Sequence, residues 1–255
     1  MDTNYFWVVY KGVNLMSSEY NPYKSTWLNP SIEYLFGQDI IEYDIRDAGF
    51  NIIKQYKLLP DDKIRELSIM QKGDQRHIAI GKLQRDDKTL SINLMNKFAE
   101  VRSIFLSANN LTDDDIISVK KDAIYTIGTC NRLKFGGIEF INKNHYTSYI
   151  RLSDINNLEM YYNQDRIDIK GMSDHAVNRH RLYMYEFIKS IIEMIENNDP
   201  KVKRVIMRFI NDYKYQNLDE EFYIEFNNMS RELNPLFNYK NIIIPLVQII
   251  LKEME

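Results

Sequence analysis

Apolar residues follow two rhythms along this chain. Ile40 to Ile45 reads Ile-Ile-Glu-Tyr-Asp-Ile, apolar except for acids at 42 and 44, and predicts a strand. Asn51 to Leu59 carries apolar residues at 52, 53, 56 and 59, the spacing of a short helix that Pro60 follows. From Lys63 to Asn109 the pattern is helical, clearest in Leu90, Leu94, Phe98, Val101 and Phe105 at three- and four-residue steps. Ile116 to Ile127 is again apolar apart from Ser118, Lys120, Lys121, Asp122 and Thr126; it predicts one arm of a hairpin, with Thr126 to Asn131 as the turn after it. Gly136 to Ile141 and Tyr146 to Leu152 predict further strands. Past Asp174 the helical spacing returns in Leu182, Tyr185, Ile188, Ile192 and Ile195, then in Val202, Val205, Ile206, Phe209 and Tyr213, with Asn197 to Pro200 as the break. Near the start, Tyr5 to Tyr10 is a β-prone aromatic run and Asn14 to Pro30 reads as an irregular loop.

Composition bounds what these elements build. With 255 residues and 44% hydrophobic content the chain has material for one large or two small packed units. No apolar run approaches the roughly 20 residues of a membrane span; the longest, Ile242 to Leu251, is broken by Pro245 and Gln248. Met1 to Asn4 lacks the positive and apolar regions of a secretory signal. The lone Cys130 excludes an internal disulfide and a zinc site built on cysteines, and fits a reducing compartment. These features predict a soluble globular protein of the cytoplasm with no membrane partner.

Charge narrows the choice of partner without deciding it. A net charge of -3 argues against gripping nucleic acid through a global positive field, but leaves room for a local groove. Basic residues gather in Arg76 to Arg102 and in Lys201 to Arg208, and for either cluster taken alone a solvated helix face is the plainer explanation. Asp113 to Asp115 reads as a solvated turn ahead of a strand. Of the four histidines, His175 and His180 are five apart, a spacing that does not suit a helical metal site.

The residues that carry chemistry are single acids in apolar strands, Asp44 and Asp122. Two carboxylates on adjacent strands are the least with which a protein can hold a pair of divalent ions for in-line attack on a phosphate. Each acid also has a plain structural explanation. Asp44, with Glu42 and Asp47 around it, could face water or start the next helix, and Asp122 could lie on an exposed face beside Lys120.

The order of motifs resembles a reduced palm and thumb of the family B DNA polymerases. Asp44-Ile-Arg-Asp-Ala-Gly-Phe-Asn-Ile52 falls on that family's first motif, Asp-x-x-Ser-Leu-Tyr-Pro-Ser-Ile, keeping the leading acid. Lys120-Lys-Asp-Ala123 falls on Asp-Thr-Asp-Ser and keeps the second acid, the one the family uses for metal. Lys143-Asn-His-Tyr146 supplies the first Lys and the Tyr of a Lys-Lys-x-Tyr element, and Asp168-Ile-Lys-Gly171 looks like the turn into the thumb, with Arg179 and Arg181 after it. The likeness spans about residues 38 to 185. The family's fingers motif has no clean counterpart, and no exonuclease domain is expected ahead of Asp44.

What the resemblance implies is specific. The fold is expected to be α+β, with a palm-like antiparallel sheet over residues 1–174, a short helical fingers-like insertion at about 60–110, and a helical thumb-like region over 175–255. Asp44 and Asp122 are expected to bind Mg²⁺ or Mn²⁺ and to be catalytic. Lys82, Arg85, Lys88, Lys97 and Arg102 are all candidates for the cations that neutralise the incoming triphosphate. Gly49 stands where the family has its sugar-discriminating Tyr, which implies weak sugar discrimination. Lys143, Tyr146, Lys170, Arg179 and Arg181 are expected to contact nucleic acid. The resulting function is a metal-dependent nucleotidyltransferase, a minimal DNA polymerase of a phage or mobile element working in the host cytoplasm. Its partners are primer-template and nucleoside triphosphates. Two alternatives stay open: a catalytically inactive palm-derived protein that binds nucleic acid or a replication partner, and an unrelated α+β interaction protein.

Overall fold

A computed structural model of the chain describes residues 21, 24–71, 73–153, 158–171, 181–215, 217–218, 224–227 and 230–233. The aromatic run Tyr5 to Tyr10 lies outside the described residues. Two compact units interleave along the sequence. One takes in Pro30–Gln38 and Tyr146–Glu255, the other Ser17–Asn29 and Asp39–His145.

The second of these units holds both acids, and its sheet follows from alternation. Its six strands are β1 (Thr26–Leu28), β3 (Ile40–Ile45), β4 (Ile116–Lys120), β5 (Ala123–Ile127), β6 (Lys134–Phe135) and β7 (Ile138–Tyr146), in the order β1-β4-β5-β3-β7-β6. The pairs β1/β4, β4/β5, β5/β3 and β6/β7 are antiparallel. Along β3, Ile41, Tyr43 and Ile45 enter a core with Trp27, Val119 and Ile124, so alternation turns Glu42 and Asp44 to the opposite face. Tyr43, Phe105 and Phe140 form the aromatic centre of that core, with the two Phe ring centroids 4.2 Å apart. The β1 strand corrects the expectation of an irregular loop up to Pro30. Its partner β4 lies some 90 residues away, and the buried Trp27 anchors the pairing.

Helices fill the stretch between β3 and β4, as the periodicity predicts: α1 (Ala48–Tyr56), α2 (Asp61–Ile69), α3 (Asp74–Asp86) and α4 (Lys88–Ala108). The first begins three residues earlier than Asn51. Asp47 takes a left-handed backbone (φ 46°) at its N-cap, and Asn51 Nδ2 reaches back to the Arg46 carbonyl at 2.6 Å, so the chain turns into helix directly after the strand. The longest helix among the described residues, α4, starts where the Asp87 side chain accepts from the N–H groups of Thr89 and Leu90, and buries Leu90, Leu94, Phe98, Val101 and Phe105.

The other unit is a sheet in the order β10-β9-β8-β2 covered by two helices. Its strands are β2 (Tyr34–Leu35), β8 (Ser148–Ser153), β9 (Leu158–Asn163) and β10 (Arg166–Lys170), and its helices are α5 (Arg181–Glu196) and α6 (Val202–Lys214). Ile150, Met160, Tyr162 and Ile167 from the strands meet Ile191, Ile192, Ile206 and Phe209 from the helices. A hairpin of β11 (Ile224–Asn227) and β12 (Ser230–Leu233) completes the described residues. The fold is therefore α+β, an antiparallel sheet with helices. No helix among the described residues is long and apolar enough to cross a membrane.

Candidate functional site

Asp44 and Asp122 come together through the β3/β5 pairing. Asp44 stands opposite Ala123, and the Ile45 N–H donates to the Asp122 carbonyl at 3.2 Å, which sets the two acids at the same end of adjacent strands. The expectation that Ile116 to Ile127 makes one hairpin arm is corrected here. The run is the whole hairpin, β4 and β5, and Asp122 lies in the two-residue turn with Lys121, whose φ is 47°. Folding back lets the two halves satisfy each other's backbone groups while Val119 and Ile124 share the core face. No Gly or Asn marks the turn.

Helix α4 braces that turn from below. The Arg102 guanidinium is 1% exposed; it donates through Nη1 to the Lys121 carbonyl and through Nη2 to the Lys24 carbonyl at 2.9 Å. One turn earlier, Phe98 lies under the Lys121 ammonium, 5.5 Å from the ring centroid. Arg102 was among the candidates for the triphosphate; its hydrogen bonds make it a structural support of the peptide that leads into Asp122.

Asp44 shares its sheet face with a cation and a buried second carboxylate. Lys143 on β7 places its ammonium 2.7 Å from Asp44 Oδ2 and 3.6 Å from Glu42 Oε1. Glu42 is 2% exposed and its other oxygen accepts from Asn144 Nδ2 at 2.6 Å. Burial pushes the Asp44 carboxyl above its ordinary range, the Lys143 hydrogen bond pulls it back, and the charges of Asp122 and Glu42 push it further up. For Lys143, burial acts downward and is outweighed by the hydrogen bond and charge of Asp44 together with Glu42, so its ammonium is held above the usual lysine value. Glu42 was not singled out from sequence. Its position two residues before Asp44 in a strand was the available signal, since such residues share a face.

Around the start of α1 the packing is tight. Arg76 of α3, buried, pairs with Asp47, donates to the carbonyls of Leu67 and Met70 at 2.9 Å each, and stacks over Phe50 at 4.3 Å. It thereby ties the end of α2 to the beginning of α1. A Cβ on Gly49 would lie 3.5 Å from Ile80 Cδ1 of α3, so a side chain there would enter the seam between the two helices. Lys82 and Arg85 are exposed on α3, and Lys88 is exposed at the first residue of α4.

The remaining candidates belong to the other unit. Tyr146 is 1% exposed, and its hydroxyl donates to Asp168 Oδ2. Arg166 Nε bonds the second oxygen of Asp168 at 2.7 Å, and the Lys170 ammonium is 3.9 Å from Oδ2. Tyr146 and Lys170 thus meet on one carboxylate. Arg179 lies outside the described residues; Arg181 opens α5, and its side chain is not described. On α6, Lys201 precedes the helix, and Lys203, Arg204 and Arg208 form its exposed side opposite Val202, Ile206 and Phe209.

The donor set suits a hard cation only in part. Asp44 and Asp122 offer carboxylate oxygens, as Mg²⁺ or Mn²⁺ requires, but among the described residues no three His, Cys, Asp or Glu side chains converge as a metal cluster. A pair of carboxylates is enough for Mg²⁺ when water and substrate phosphates complete the shell.

No curated protein matches the chain by sequence. Among solved structures it is similar to the family B DNA polymerase from the hyperthermophilic archaeon Pyrobaculum calidifontis, at 14% identity and a TM-score of 0.41. That alignment covers 91% of this chain and 39% of the archaeal one, so the chain spans well under half of that protein's length. Residues 16–253 match the family described as Bacteriophage PBS1 gene 130 protein, and the chain belongs to that phage family.

Proposed function

We propose that this chain is a metal-dependent nucleotidyltransferase that extends a nucleic-acid 3′ end, with Asp44 and Asp122 as the catalytic pair. The observation that carries the reading is their meeting at the end of β3 and the β4/β5 turn, on strands joined by the Ile45-to-Asp122 hydrogen bond. Two acids 78 positions apart in sequence are brought to neighbouring backbone positions, and two carboxylates on adjacent strands are what this reading needs for two-metal phosphoryl transfer. Divalent ions held by the two carboxylates would supply the charge that favours the 3′-oxyanion and neutralises the leaving pyrophosphate. The chain's own groups position them: β3 presents Asp44, the Arg102-braced turn presents Asp122, and the exposed cations Lys82, Arg85 and Lys88 are available to triphosphate oxygens. Primer-template and nucleoside triphosphates are the partners of this reading, and Mg²⁺ or Mn²⁺ its cofactor. The experiment is incubation with labelled nucleotides, primed and unprimed templates and either ion, with Asp44→Ala and Asp122→Ala as controls. Incorporation lost in both variants supports the reading; no incorporation under any condition ends it.

One observation favours a second reading. Asp44 is already neutralised by Lys143, and among the described residues no three His, Cys, Asp or Glu side chains converge as a metal cluster. A palm-derived protein that binds nucleic acid or a replication partner without catalysis would keep such a face. Binding of primed template that is unchanged by metal and by Asp44→Ala would select it.

A further inference from the structure

Glu42, Asp44 and Lys143 form a closed local circuit of charge. Glu42 cannot turn away, because one oxygen is held by Asn144 and the residue is buried in the strand. A buried carboxylate needs a partner cation, and the ammonium 3.6 Å away serves it while donating to Asp44 at 2.7 Å. The Lys143 side chain is nonetheless 48% exposed and hangs on a flexible four-carbon stem, so it can leave without breaking the sheet. A divalent cation bound by Asp44 would compete for the same oxygen and the same charge.

We propose that Lys143 is a tethered counter-ion, seated between Asp44 and Glu42 in the metal-free protein and displaced when a divalent cation binds. The proposal rests on the reading of Asp44 and Asp122 as metal ligands. Metal affinity is then set by competition with the lysine, and loading the ion frees a cation that can reach a phosphate of the bound nucleic acid. The protein keeps its like-charged acids together without metal and exchanges one cation for another on loading.

Mn²⁺ binding to the full chain, followed by loss of the free-ion paramagnetic resonance signal, tests this in wild type, Lys143→Met, Lys143→Arg and Asp44→Asn. Release from an ion pair worth up to about 1 kcal/mol predicts roughly fivefold tighter Mn²⁺ binding in Lys143→Met. Lys143→Arg keeps the charge and should bind no more tightly than wild type, and Asp44→Asn should not bind. Binding by Lys143→Met where wild type shows none supports the proposal in its strongest form. Equal or weaker binding by Lys143→Met, with Asp44→Asn still abolishing it, overturns the counter-ion and leaves the metal reading standing. Absence of binding in wild type and Lys143→Met alike overturns both. Lys143→Gln, which keeps a polar head against Glu42, replaces the Met variant if that variant fails to fold.

Discussion

Replacing Arg102 by Met should unseat the turn that carries Asp122. The guanidinium is almost wholly enclosed and makes hydrogen bonds to two backbone carbonyls, those of Lys121 and Lys24. Hydrogen bonds from a charged donor are worth roughly 1.5–3 kcal/mol each, and the two carbonyls would be left in a space that Met fills with apolar atoms. The expected loss is about 3–5 kcal/mol, since Met retains most of the packing of the arginine stem. For a chain of this length that corresponds to a fall in melting temperature on the order of 10 °C. Urea unfolding followed by tryptophan fluorescence suits the measurement, because the buried Trp27 lies on β1, one residue from the Thr26–Lys120 pair. Lys97→Met provides the contrast: its ion pair with Glu100 is a partly exposed i,i+3 contact on the same helix and its ammonium lies 4.5 Å from the Tyr56 ring centroid, so its loss should cost under about 1.5 kcal/mol. A loss under about 1 kcal/mol in Arg102→Met, at unchanged urea sensitivity, would refute the brace.

Three further outcomes follow from the same geometry. Because burial and the charge of Asp122 raise the Asp44 carboxyl, its folded value exceeds its unfolded one, and the ionised group weakens the fold as pH rises from near 3.8. Asp44→Asn should therefore lose less stability than wild type between pH 3.5 and pH 7 in thermal melts, even though it gives up the Asp44 ion pair with Lys143; an equal or greater loss over that range would sink the argument. Gly49→Tyr should cost about 1–3 kcal/mol by crowding the Ile80 seam, with Ile80→Ala restoring part of it, while the wild type, if active, should incorporate ribo- and deoxyribonucleotides with similar efficiency in one primed-template assay. A strong deoxyribonucleotide preference in the wild type would remove Gly49 from the sugar position. Tyr146→Phe should lose about 1.5–3 kcal/mol through its bond to Asp168 and leave the salt dependence of nucleic-acid binding unchanged, whereas Lys143→Ala should flatten that dependence by about one unit of slope. Matching slopes in the two variants would contradict the contrast.

The arginines mark the boundary between composition and structure. Arg76 and Arg102 belong to the basic cluster that first suggested a phosphate-binding face, yet both point inward onto backbone carbonyls. Lys82 and Arg85, from the same cluster, are exposed. A charge count cannot separate the two kinds, because a guanidinium on a helix reads alike whether it meets water or the end of a neighbouring helix.

By itself, the sequence determined the elements whose signal is local. The strand Ile40–Ile45, the helices between residues 61 and 108, and the two helices after residue 181 are legible because burial on one face imprints a period of two or 3.6 on neighbouring residues. The alternation in β3 also sufficed to put Asp44 on the face away from Tyr43. Tertiary structure alone decided what depends on distant partners. The hairpin folds at Lys121 and Asp122 with no Gly or Asn to announce it, held by Phe98 and Arg102 from a helix that precedes it. Thr26–Leu28 becomes a strand only because β4 presents an open edge. Gly49 meets Ile80, and Lys143 meets Asp44 across 99 residues. Such contacts leave no periodic trace, because the energy of an ion pair or a buried donor depends on which groups converge in space, and convergence is set by the packing of whole elements.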